Sequence, residues 1–141
     1  MPTRPALKWT YFNLGQLETE GLLVLGMDSS GHTASALLDI GHCGIEVELS
    51  VNPDDNLLTI TARLNNAGGD VTDTVLLRLQ ERGRLTRMLP DHMDGVLMIQ
   101  AASYCPGTKA IAAVARLLTD DIREVLSGGH LAFQRPAHAN Q

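Results

Sequence analysis

The chain has 141 residues, a formal net charge of −5, 44% hydrophobic residues and 19% charged residues. That length suits one domain with its own core, and the balance of apolar and charged residues excludes an intrinsically disordered chain. The acidic excess excludes counterion-release binding to DNA or RNA, and no apolar run, Leu22 to Leu25 included, is long enough to span a bilayer.

With aromatics at only 4%, the core must be aliphatic. Residues 1–5 read as a loose tail. Leu7, Tyr11, Leu14 and Leu17 sit at helical spacing and predict a short helix over 6–20, although Trp9, Thr10, Tyr11 and Phe12 favour a strand. Asp28-Ser-Ser-Gly31 is turn chemistry, since Asp bonds its own backbone and Gly tolerates positive φ. Strand-like runs follow at 33–40, 44–51 and 56–64. In the second, Ile45, Val47, Leu49 and Val51 alternate with Glu46, Glu48 and Ser50; in the third, Leu58, Ile60, Ala62 and Leu64 alternate with Thr59, Thr61 and Arg63. The cluster Asn52-Pro-Asp-Asp-Asn56 between them predicts an antiparallel hairpin.

A helix is expected over 72–89, capped by Thr72 or Asp73, interrupted by Gly83 and stopped by Pro90. Asp94-Gly95 opens a strand over 95–104. The last element is the clearest: Ile111, Val114, Ala115, Leu118, Ile122, Val125 and Leu126 make one continuous stripe at a 3.6-residue period over 109–127, with Thr108 as N-cap and Gly128-Gly129 as the stop. The expectation is an α+β domain with an antiparallel sheet of about four to five strands flanked by two to three helices, ordered over about 6–128, with a flexible tail at 129–141.

No motif for catalysis or metal binding is strong. His42 and Cys43 are adjacent, but sequence neighbours point in different directions, so the imidazole is not thereby placed on the sulfur. Asp91, His92 and Asp94 lack metal-ligand spacing. Glu46 and Glu48 share a strand face with apolar residues on the opposite one, which reads as a solvated acidic surface able to meet a basic partner. Arg78, Arg82, Arg84 and Arg87 read as a solvated or dimer-facing edge of one helix. Cys43 and Cys105 lack CxxC spacing, and the N-terminus lacks an apolar signal-peptide core; both features point to reduced thiols in a cytoplasmic protein. No nucleophile, base and oxyanion donor can be placed together, so no enzyme, cofactor or metal is expected.

The order turn–strand–strand–strand–helix–strand–helix, with a helix ahead of it, resembles the class I type III secretion chaperones of bacteria. The matching text is Leu25-Gly-Met-Asp28-Ser-Ser-Gly31, then Leu37-Leu-Asp39-Ile40, Ile45-Glu-Val47-Glu-Leu49 and Asp55-Asn-Leu57-Leu-Thr-Ile60-Thr-Ala62. The family's usual second short strand near the C-terminal half has no obvious counterpart here. The resemblance implies a homodimer that binds the extended N-terminal segment of a secreted effector and keeps it competent for secretion, a role tied to virulence. It also implies an interface on the middle helix and the following strand, here Val75, Leu76, Leu79 and Met98. Val47, Leu49, Ile60 and Ala62 are the expected partner contacts if one sheet face is left uncovered. The alternative class is a regulatory or scaffold domain, roadblock-like or sensory-regulator-like, that binds a folded signalling partner.

Overall fold

A computed structural model describes residues 7–19, 21–41, 44–65, 69–82, 84–89 and 96–126. The elements run α1 (Tyr11–Glu18), β1 (Leu22–Met27), β2 (Thr33–Asp39), β3 (Gly44–Asn52), β4 (Leu57–Asn65), α2 (Gly69–Arg82), β5 (Thr86–Met88), β6 (Val96–Tyr104), a 3-10 turn (Thr108–Ala110) and α3 (Ile111–Leu126). The strands form one six-stranded sheet in the order β1-β2-β3-β4-β6-β5, antiparallel at every pairing.

Strict alternation makes the sheet two-sided. Ala34, Ala36 and Leu38 on β2, the four apolar residues of β3 and of β4, and Leu97, Ile99 and Ala101 on β6 all point to one side and are buried. The helices cover that side. α3 lies over β4, β6 and β5, with α1 beside it toward β1 and α2 beside it toward β5. All seven stripe residues of α3 are buried, each large aliphatic one contributing about 1.5–3 kcal/mol of transfer free energy.

Turn chemistry sets the register of the first hairpins. Asp28 Oδ1 accepts from the Ser30 hydroxyl (2.9 Å) and from the backbone N–H groups of Gly31 (3.0 Å), His32 (3.2 Å) and Thr33 (3.3 Å). These bonds to the ionised form lower the Asp28 pKa below its ordinary value, the Ser30 hydroxyl contributing most. Gly31 has φ +76° and its carbonyl receives the Trp9 N–H at 2.7 Å. In the β3–β4 turn, the Asn52 side chain accepts from Asp54 N–H (2.9 Å), Asp55 accepts from Leu57 N–H (3.1 Å), and Asn56 takes φ 57°.

Three expectations change. The 6–20 segment carries both of its signals in turn: Leu7 and Trp9 are buried at period 2 in extended chain, then Thr10 caps α1 by accepting from Asn13 N–H at 3.2 Å, and Leu14 and Leu17 are buried from the helix. The run from Leu22 is an edge strand, which the sequence concealed because both of its sides are apolar. The expected helix over 72–89 is α2 plus β5; α2 begins at Gly69, ahead of both expected caps, and ends at Arg82. Asp121 on α3 explains the change of direction. Its carboxylate accepts the N–H groups of Arg84 (3.2 Å) and Leu85 (3.1 Å) and the Thr86 hydroxyl, which holds residues 84–86 against α3 and starts β5 beside β6. Gly83, Pro90 and the expected tail at 129–141 lie outside the described residues.

Candidate functional site: the uncovered sheet face and its free edge

Helices cover one side of the sheet, and the other side presents the alternate residues of every strand. Neighbouring strands bring them into rows. One row runs Leu23, Leu37, Glu46, Arg63, Met98 across β1, β2, β3, β4 and β6. The next runs Ser35, Glu48, Thr61, Gln100 and, on β5, Arg87. On this face is a hollow of about 380 Å³ lined by Leu25, Ser35, Glu46, Glu48, Thr61, Arg63 and Met98, among others. Gln100 donates to the Thr61 hydroxyl oxygen at 3.0 Å and accepts from Arg87 at 3.4 Å. Arg63 stands opposite Glu46, yet its Nε donates to Asn65 Oδ1 at 3.2 Å. Among the described residues, neither Glu46 nor Glu48 has a hydrogen-bond or ion-pair partner.

The two sheet edges differ. β5 is three residues long, carries Arg87 and is held down by the Asp121 carboxylate. β1 is six residues, Leu22-Leu-Val-Leu-Gly-Met27, with no charge and no proline, and among the described residues it has a strand neighbour on one side only. Leu23 and Leu25 on it are 55% and 61% exposed. Natural sheets guard their edges with charges, prolines, shortness or bulges. β5 uses two of these devices; β1 has a single irregularity in register, between Val24 and Gly26.

The expected partner contacts are on the wrong side. Val47, Leu49, Ile60 and Ala62 are at most 5% exposed and belong to the core beneath the helices. A face is indeed uncovered, but it is the one that carries Glu46, Glu48, Thr61 and Arg63. The expected interface residues also separate: Val75 is fully buried, Leu79 is half-buried against the core, Leu76 is exposed on α2, and Met98 lies on the opposite side of the sheet. The four arginines do not share a helix either. Arg78 is on α2, Arg84 follows it and Arg87 is on β5, while the Arg82 side chain lies outside the described residues. His42, Cys43, Asp91, His92 and Asp94 lie outside them too. Cys105 is buried, and burial pushes its thiol pKa up, against a weaker opposing contribution from its 3.3 Å bond to the Gly107 carbonyl. Sequence reasoning missed Leu23 and Leu25, whose only signal is an apolar strand lacking alternation.

No group of His, Cys, Asp and Glu among the described residues is arranged to hold a metal ion, and no described helix is long and apolar enough to cross a membrane. No protein-family model, curated protein or solved structure matches the chain.

Proposed function

We propose that this chain is a non-enzymatic, cytoplasmic polypeptide-binding protein of the secretion-chaperone kind, and that it holds the extended N-terminal segment of an effector by adding it as a strand to β1. The observation that carries this reading is the long, uncharged edge strand β1. An uncharged strand at the edge of the sheet among the described residues, with two exposed leucines, is a template for another extended chain. Backbone hydrogen bonds supply sequence-tolerant affinity, and Leu23 and Leu25 supply apolar contacts for alternate side chains of the guest. Further support comes from the order of elements. Leaving β1 aside, the chain runs helix, three strands, helix, short strand, long strand, helix. β5 supplies a short strand ahead of the long last one, an order in keeping with this reading.

The test is co-expression with the product of the neighbouring reading frame, followed by hydrogen exchange. Co-purification, protease protection of the guest's N-terminal segment and slowed exchange at the Leu22 and Val24 amides are expected. Val24→Pro, which removes an edge donor and stiffens the strand, should abolish capture while leaving the fold intact. Capture of a folded partner, or capture without any change in β1 exchange, would reject the reading.

A further inference from the structure

Two rows of open-face side chains lead inward from β1, and they differ in height. In one, Leu23 and Leu37 stand before Glu46. In the other, Gly26 pairs with Ser35 and Ser35 with Glu48, so only a hydrogen and a serine stand between the outer side of β1 and the Glu48 carboxylate. A Cβ built at Gly26 would meet nothing within 4 Å, so the lane is open at its mouth. We infer, on the footing that a guest strand adds to β1, that this lane selects the guest. The captured segment carries an arginine opposite Gly26, and its side chain crosses Gly26 and Ser35 on the open face to pair with Glu48.

Charge complementarity selects a cation. Among the described residues Glu48 has no hydrogen-bond or ion-pair partner, and its cross-strand neighbours Ser35 and Thr61 are neutral. Glu46 differs, since Arg63 stands opposite it. Both carboxylates line the 380 Å³ hollow at the inner end of the lane, where a guest cation meets two negative charges against the one positive charge of Arg63. Leu25 and Met98 in the same lining offer apolar flanks for a methylene stem. Length favours arginine over lysine. The guest lies three strand spacings from β3, about 14 Å. That span is within the joint reach of an extended arginine, a glutamate and the hydrogen bond between them, and lysine is one atom shorter. The guanidinium fork also bonds both carboxylate oxygens, which an ammonium does not.

Two synthetic peptides decide the matter. One is a short strand of alternating threonine and valine with an arginine at its centre, on the threonine side; its twin carries citrulline, the neutral isostere, in that place. NMR titration of the full chain gives both affinities. The arginine peptide should bind about 5-fold more tightly than its twin. That preference should vanish in Glu48→Gln, an isosteric change at an exposed position that leaves folding untouched, and persist in Glu46→Gln. Gly26→Leu, which blocks the lane without altering a charge, should erase it as well. In Glu48→Arg the preference should invert, so that a peptide with a central glutamate binds better than the arginine peptide. Equal binding of arginine and citrulline peptides, or a preference that survives Glu48→Gln or Gly26→Leu, would overturn the inference and leave strand addition at β1 standing. Binding of neither peptide, or binding that Val24→Pro does not weaken, would overturn strand addition and the arginine assignment with it.

Discussion

Removing the Asp121 carboxylate tests the account of how residues 84–89 become a strand. The side chain accepts three donors, the N–H groups of Arg84 and Leu85 and the hydroxyl of Thr86. The two amides are at the surface, where water replaces a lost partner, so each counts about 0.5 kcal/mol. Thr86 is only 8% exposed, and its hydroxyl would be left unpaired at a cost of about 1–2 kcal/mol. Asp121→Ala should therefore destabilise the protein by about 2–3 kcal/mol in urea unfolding, and lower Tm by about 6–9 °C for a chain of this size. The cost should fall to about 1 kcal/mol in a Thr86→Val background, where no hydroxyl is left to orphan. Hydrogen exchange should accelerate at Leu85 and across β5 before it does so at β4. A loss below about 0.5 kcal/mol, or one of equal size in both backgrounds, would refute the view that this carboxylate starts β5.

Other substitutions probe the rest of the fold. Gly31→Ala places a side chain at φ +76° with its Cβ 3.3 Å from the Trp9 carbonyl oxygen and 3.4 Å from Lys8 Cβ, and should cost about 1–2 kcal/mol in chemical denaturation. Val75→Asp buries an unpaired carboxylate at a fully buried position and should unfold the protein or cost at least about 3 kcal/mol; Leu76→Asp, one residue along and 40% exposed, should leave stability and sedimentation unchanged. Asp28 has a depressed folded pKa, so its contribution to stability is present above its unfolded value of 3.8 and is lost as pH falls through the folded value. The stability difference between wild type and Asp28→Ala should then hold constant from neutral pH down to about pH 5 and shrink below pH 4, as read from urea midpoints across pH.

Where one-sided burial coincided with a simple period, the chain was legible. The alternation in β3 and β4 matches the buried sets there, the stripe of α3 is wholly buried with Thr119 added to it, and the Asp28 and Asn52–Asn56 turns supply the bonds their chemistry promised. Legibility failed where a segment's burial is not one-sided or its partner is remote. β1 lacks alternation because its outward leucines are as apolar as its inward ones. β5 is three residues long, and the helix-like spacing of Leu85, Met88 and Leu89 is overruled by a carboxylate 35 or more residues later in the chain. Residues 7–18 change period from 2 to about 3.6 at Thr10, so a single template fits neither half.

The candidate site divides the same way. Alternation said that the sheet has an apolar side and a polar side, and that Glu46 and Glu48 belong to the polar one. It placed the expected contacts Val47, Leu49, Ile60 and Ala62 on the apolar side, which the amphipathic stripe of α3 requires for its own burial. Local pattern thus determined the elements and the polarity of each face, because both follow from the 2.0 and 3.6 periods of the backbone. Tertiary structure alone decided which strand lies at each edge and which side chains share a row. Strand order and cross-strand register are long-range pairings: they bring Leu37, Glu46, Arg63 and Met98 into line from four separate stretches of chain, and no local spacing encodes that juxtaposition.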